Sequence, residues 1–257
     1  MASITQPKVI LFDIGGVVTA PNGYWHKIER GQIPMDDAFF AGFSEDLHDA
    51  SRWEAFYQSQ QSKHPSLPKE LPPVPKIDAK WLFNYMMSSS TGPDPWMFPA
   101  LKKLRDSGRY IIAAVSNTVI FPPGHALHQE DFFSGPVKEL FDVFVSSAHV
   151  GLRKPDPKMY QYTFGEVNKF ALSHSQDKRG KALRLEAGIR PEDILFLDDI
   201  GENLKAAKKL GFRTIKVNLG RAFEAVDELE KITSLKLAGD HPRIPIKPRY
   251  VGPKAKI

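Results

Sequence analysis

Five short, apolar, β-branched runs constrain the fold of this chain most strongly. They are VILF (9–12), YIIAAV (110–115), VFVSS (143–147), ILFL (194–197) and RTIKV (213–217). A strand with one wet face alternates apolar and polar side chains. A run without alternation suits a strand buried on both faces, which requires helices above and below the sheet. Segments of helical period lie where that demands them. MFPALKKLRDSG (97–108) leads into the second run and ends on Gly108. GENLKAAKKLGF (201–212) has apolar residues at 204, 206, 207 and 210 before Gly211. The fold class is α/β, with a parallel sheet whose working crevice lies at the carboxyl ends of its strands.

One gap breaks the alternation. About 100 residues separate the first run from the second, too many for one crossover. This stretch holds DDAFFAGF, RWEAFYQ and WLFNYMM, with spacings of three and four that suggest short amphipathic helices. We read residues 21–94 as a helical subdomain inserted after the first strand, with HPSLPKELPPVPK (64–76) as a loop inside it. Its aromatic residues, Trp25, Phe39, Phe40, Phe43, Trp53, Phe56, Tyr57, Trp81, Phe83 and Tyr85, read first as the subdomain's own core. An apolar substrate pocket is the alternative, and an exposed patch there is compatible with a homodimer. Residues 119–136 read as a long loop, and 168–181 as a polar, mobile connection. The core then comprises residues 1–20 and 95–239, and 240–257 form a basic, Pro-containing tail.

Composition excludes several classes. A chain of 257 residues, 42% hydrophobic and 25% charged, can bury a sizeable core. No apolar run approaches the roughly 18 residues of a membrane span. MASITQPK does not read as a signal peptide, so the expected location is cytoplasmic. The absence of cysteine removes disulfides, thiolate catalysis and cysteine-ligated zinc. The net charge of +5 is concentrated: Arg243, Lys247, Arg249, Lys254 and Lys256 against Asp240 give the tail +4. No basic face interleaved with aromatics remains, so no nucleic-acid partner is expected.

The chemistry is at the strand ends. Asp13 follows the first run, Ser116, Asn117 and Thr118 the second, and Asp198 and Asp199 the fourth, with Asn203 close behind. Lys154 follows the third run, in front of a proline turn. In a parallel sheet these groups converge on one edge. Three carboxylates in one crevice raise each other's pKa unless a cation joins them. Oxygen donors of this kind suit Mg²⁺, and a lysine beside them suits a phosphoryl group.

LFDIGGVV, VSNT, LRKPD and FLDDIGENLKAAKKLG together resemble the four motifs of the haloacid dehalogenase-like hydrolases, most closely the N-terminal phosphatase domain of soluble epoxide hydrolases. The resemblance covers roughly residues 8–20 and 97–235, and the fourth motif is the most specific. It implies a Rossmann-like core, with the inserted segment in the place of the family's helical cap. It also implies a Mg²⁺-dependent phosphatase acting on a small phosphorylated metabolite through an aspartyl-phosphate. Asp13 is then the nucleophile. Asp13, the Gly15 carbonyl, Asp199 and Asp198, directly or through water, are the metal set. Ser116, Asn117 and Lys154 hold the phosphoryl group, Lys154 neutralises charge, and Asn203 orients the Asp198–Asp199 loop.

Gly15 departs from the family pattern, which places an acid–base Asp there in phosphate-ester hydrolases. Its carbonyl keeps a ligand's function, but the proton-transfer function is lost, typically worth about 10²–10⁴-fold in rate. Three readings follow. The protein is a weakened or specialised phosphatase, with His26, Asp36, Asp37, His125 or His128 as candidate replacement acids. It is a silent phosphate- and Mg²⁺-binding or regulatory module. Least favoured, it is a dehalogenase-type hydrolase, which needs no metal and leaves the Asp198–Asp199 pair without a cation.

Overall fold

The computed structural model describes residues 6–13, 23–89 and 92–247. Gly15 and residues 248–257 of the tail lie outside the described residues. In chain order the elements are β1 (Val9–Phe12), α1 (Tyr24–Glu29), α2 (Asp37–Leu47), α3 (Ala50–Lys63), α4 (Ala79–Ser89), α5 (Met97–Ser107), β2 (Ile111–Ser116), β3 (Val143–Ser146), α6 (Ser147–Val150), α7 (Pro157–Ser173), α8 (Lys178–Leu183), β4 (Ile194–Asp198), α9 (Gly201–Lys209), β5 (Arg213–Lys216) and α10 (Phe223–Thr233).

The strands form one parallel sheet in the order β3-β2-β1-β4-β5. The two-residue repeat of a strand sends alternate side chains to opposite faces. Val9, Leu11, Ala113, Val115 and Phe196 meet Met159, Tyr160 and Val167 of α7 and Leu204 and Ala207 of α9 on one face. Ile10, Phe12, Ile112, Leu195 and Leu197 meet Ala100, Leu101 and Leu104 of α5 and Ala225, Val226 and Leu229 of α10 on the other. Burial on both faces is why these runs carry no polar alternation. It also fixes the register, since a one-residue slip would exchange the two cores. The sheet grows outward from β1 in both directions, so the crevice opens beyond the carboxyl ends of β1 and its neighbours.

Between β1 and α5 the described residues form four helices, α1 to α4. Trp25 and Ile28 of α1, Phe39 and Phe43 of α2 and Phe83 of α4 form a third apolar cluster, joined by Val119 and Phe121 from the segment after β2. Trp25 packs on Phe83 with ring centroids 5.4 Å apart, and Phe39 stacks on Phe43 at 5.8 Å. These aromatics are therefore core, whereas Phe56 and Trp81 remain exposed. The Pro-rich stretch is irregular and strapped to α3: Trp53 Nε1 donates to Pro72 O, and Tyr57 Oη to Pro68 O.

Residues 168–181 differ from the sequence reading. α7 runs on to Ser173, burying Val167 and Ala171, and Asp177 caps α8 by accepting from Gly180 N. The polar residues that suggested mobility lie on a helix whose apolar side is packed. Asn168 also has a structural partner, with Oδ1 accepting from Ile189 N.

The first part of the tail is extended and tied down. Trp96 Nε1 donates to Pro242 O, Ile246 N donates to Gly220 O, and Arg243 pairs with Asp227. Gly220 has φ +71°, and a Cβ there would stand 2.1 Å from Ile246 O, so only glycine permits this crossing. Among the described residues no helix is long and apolar enough to cross a membrane.

Candidate active site

β1 and β4 are adjacent, with Phe12 opposite Leu197, so the next residue on each strand is an aspartate at the same height. Asp13 N donates to Leu197 O at 2.9 Å and holds the two tips together. Lys154, 1% exposed, stands between them: Nζ is 3.0 Å from Asp198 Oδ2 and ion-paired with Asp13 Oδ1. Among the described residues Asp13 Oδ1 accepts no well-aligned hydrogen bond despite this pairing. Carboxylate oxygens of Asp13, Asp198 and Asp199 lie within 4.8 Å of one another.

Each member is held by others. Asn117 brackets the Lys154 main chain, with Oδ1 accepting from Lys154 N (2.9 Å) and Nδ2 donating to Lys154 O (3.2 Å). Its side-chain amide thus positions the lysine loop. Asp198 accepts on both oxygens, from Ile200 N and Asn203 Nδ2 on Oδ1 and from Asn203 Nδ2 and Lys154 on Oδ2. Asn203 is itself placed by its helix, and the Tyr160 hydroxyl donates to its backbone oxygen at 3.0 Å. Ser116 ends β2 and is 1% exposed. The following residue pair is cross-linked to β3 and α6: Thr118 N donates to Ser147 Oγ, and Thr118 Oγ1 and Ser146 Oγ are 2.6 Å apart.

The electrostatics are unbalanced. Burial, opposed by Lys154 and reinforced by Asp198, holds the Asp13 carboxyl well above the usual carboxylate range. Burial and then Asp198 push Asp199 up as well. Nearby, Arg153 Nε donates to Glu29 Oε2 at 2.8 Å. Among the described residues Lys154 is the one cation ion-paired within the cluster of Asp13, Asp198 and Asp199, while Arg153 is paired with Glu29. Three carboxylates against one directly paired ammonium leave negative charge in excess, and the clustered donors are hard oxygens, so the residues present fit Mg²⁺. Among the described residues Asp198 is committed to Asn203, Lys154 and Ile200 N, and Asp13 is ion-paired with Lys154.

Four of the candidate replacement acids are engaged elsewhere. Asp36 caps α2 by accepting from Phe39 N, and exposed Asp37 faces Lys80 at 3.9 Å. His125 Nε2 lies 3.2 Å from Asn84 Oδ1, and His128 Nδ1 2.7 Å from Phe121 O. His26 is buried on α1, and burial followed by the charges of Arg153 and Arg30 pushes its pKa down to about 4. The sequence reading did not single out Glu29 or Tyr160. Arg153 stood inside the quoted LRKPD without a function.

Two predictions arise here. The unfolded chain holds the His26 proton more tightly than the folded one. Its stabilising contribution is therefore present above pH 6.5 and lost as pH falls through about 4. Thermal melts over that window should show a larger acid-side fall in wild type than in His26→Gln. Asn203→Leu removes the donor that fixes Asp198, and loss of such an outer-shell partner costs about 10–100-fold in metal affinity. Calorimetric titration with Mg²⁺ checks it.

A family model for haloacid dehalogenase-like hydrolases matches residues 7–211. The chain belongs to that hydrolase family. Mouse acyl-CoA dehydrogenase family member 10 is 31% identical over 143 residues, covering 56% of this chain and 11% of that protein. Rat bifunctional epoxide hydrolase 2 is 32% identical over 111 residues, covering 43% of this chain and 16% of the relative. The chain thus spans well under a fifth of the length of these curated relatives. (S)-2-haloacid dehalogenase 4A of Burkholderia cepacia is 25% identical, covering 55% and 51% of the two chains. A HAD-like family hydrolase structure from Porphyromonas gingivalis is 18% identical, with a TM-score of 0.45 over 88% of this chain and 98% of its own.

Proposed function

We propose that the protein is a Mg²⁺-dependent phosphatase that acts through an aspartyl-phosphate on a small phosphorylated metabolite. The observation that carries this reading is the cluster of Asp13, Asp198 and Asp199 beside the buried Lys154, in which carboxylates outnumber the directly paired ammonium. Asp13, Asp199 and the Gly15 carbonyl would hold Mg²⁺, with Asp198 supporting the shell, and the bound ion would supply charge neutralisation for the phosphoryl oxygens.

The chain's own residues do the rest. The Lys154 ammonium opposes the burial that favours the neutral Asp13 carboxyl. A carboxylate oxygen of Asp13 attacks phosphorus, forming the acyl-phosphate bond as the ester P–O bond breaks and the leaving oxygen departs opposite. Ser116 and Lys154 orient the phosphoryl group. No side chain at position 15 protonates the leaving oxygen, so it takes its proton from water, which favours substrates that leave readily as anions. The acyl-phosphate is then attacked by water without a base at position 15. Asp13 is regenerated and phosphate is released.

Gly15 also favours a second reading, a phosphate- and Mg²⁺-binding module with negligible turnover. Hydrolysis of an aryl phosphate separates the two. The phosphatase reading expects Mg²⁺-dependent turnover above a metal-free control; its absence selects the binding module. Gly15→Asp should raise the rate on unactivated esters by about 10²–10⁴-fold. An unchanged rate with Mg²⁺ binding intact argues that position 15 is not where the acid is missing.

A further inference from the structure

Glu29 and Arg153 are far apart in the chain and meet in the interior. Arg153 Nε donates to Glu29 Oε2 at 2.8 Å, and the side chains are 11% and 6% exposed. Arg153 directly precedes Lys154. Consecutive cations thus tie one loop in two directions, Lys154 to the aspartates at the tips of β1 and β4, and Arg153 to the end of α1. A second tie starts from the same glutamate: Ser147 Oγ, fully buried, donates to Glu29 O at 2.5 Å and accepts from Thr118 N at 2.8 Å. Two residues later Gly31, at φ +62°, passes so close to α6 that a Cβ would stand 2.2 Å from Ala148 O.

We infer that Glu29 and Arg153 are positioning residues, which lock the Lys154 loop and the Ser116–Thr118 segment to α1 and keep the Arg153 guanidinium off the aspartate cluster. A buried ion pair is a weak source of net stability compared with apolar packing of the same volume, so geometry is the better account of its presence. Its second effect is electrostatic. One residue from Lys154, an Arg153 released from Glu29 carries an unpaired positive charge on the loop that supplies the cluster's ammonium, and that charge opposes binding of a divalent ion. The catalytic part of this inference rests on the phosphatase reading; the positional part does not.

The test compares full-length wild type with Glu29→Gln, Arg153→Ala, Arg153→Lys and the Glu29→Gln/Arg153→Ala double variant. Amide hydrogen exchange over 151–156 and 116–118 is followed alongside kcat and KM for an aryl phosphate and calorimetric titration with Mg²⁺. Glu29→Gln and Arg153→Ala should speed exchange in those two segments while α10 exchanges as in wild type. They should lower kcat about 10–100-fold, the range for outer-shell partners, with KM within about threefold. Glu29→Gln should weaken Mg²⁺ binding. The double variant should be no worse than the worse single variant, and Arg153→Lys should recover part of the loss. Folded variants with wild-type exchange over 151–156 and wild-type Mg²⁺ affinity overturn the inference, as does exchange that rises uniformly. Should Arg153→Ala not fold, the near-isosteric Glu29→Gln decides alone. A wild type without turnover overturns the phosphatase reading, and the exchange and Mg²⁺ results still judge this one.

Discussion

Asp13→Asn is expected to abolish turnover while leaving the protein folded and no less stable. The substitution keeps the shape of the side chain and removes the nucleophilic oxygen charge, and single knockouts of this type cost about 10⁴-fold or more. Its effect on stability follows from the raised Asp13 pKa. The folded state holds this proton more tightly than the unfolded chain does. The contribution is therefore present below about pH 3.8 and lost as pH rises through the folded value. Once ionised, the wild-type carboxylate is thus a burden in the absence of metal, and Asn removes it. Melting followed with and without Mg²⁺ should show a Mg²⁺-dependent rise in wild type that is diminished in Asp13→Asn. A variant that keeps measurable turnover would show that Asp13 is not the nucleophile.

Lys154→Met should have the largest effect on stability. The lysine is 1% exposed and is the direct cationic partner of both strand-tip aspartates. Methionine nearly matches its length but leaves two buried carboxylates facing each other. Removing one partner of a buried ion pair typically costs about 3–5 kcal/mol. Part of that loss should return on adding Mg²⁺ and part on lowering the pH, because either neutralises the aspartates. Turnover should vanish under all conditions. Lys154→Arg is not a safe control, since the planar guanidinium differs from the ammonium in shape and hydration. Denaturant melts at several pH values with and without Mg²⁺ test this. A variant as stable as wild type near neutral pH without metal would contradict the charge argument.

The sheet was legible because a strand buried on both faces must be apolar throughout, and VILF, IIAAV and ILFL have no other simple reading. The tips were legible because an aspartate at the end of such a run has only the crevice to enter. Asp36 reads in the sequence as a candidate acid, whereas in the fold it caps α2 by accepting from Phe39 N. The Glu29–Arg153 contact was not legible: it joins residues 124 positions apart with no periodicity to announce it. Asn117 was readable as a polar residue beside the crevice, but not as the bracket on the Lys154 main chain, because both of its hydrogen bonds are long-range. The stretch 168–181 misled because polarity was read as mobility, although spacing at 167 and 171 places apolar residues on one helical face. The aromatic insert resolved toward its own core, since Trp25, Phe39, Phe43 and Phe83 satisfy one another.

The absence of an acid–base aspartate at position 15 gives the account its most direct test. Water attack on the acyl-phosphate loses its base, so with an activated aryl phosphate the covalent species should form faster than it decays. Wild type mixed with that substrate and Mg²⁺, quenched in acid within the first turnover and digested, should yield a single phosphorylated peptide bearing the modification on Asp13. The signal should be absent from Asp13→Asn and from a metal-free control. Hydrolysis that proceeds with no phosphorylated peptide at any quench time, or with the phosphoryl group on another residue, contradicts the account.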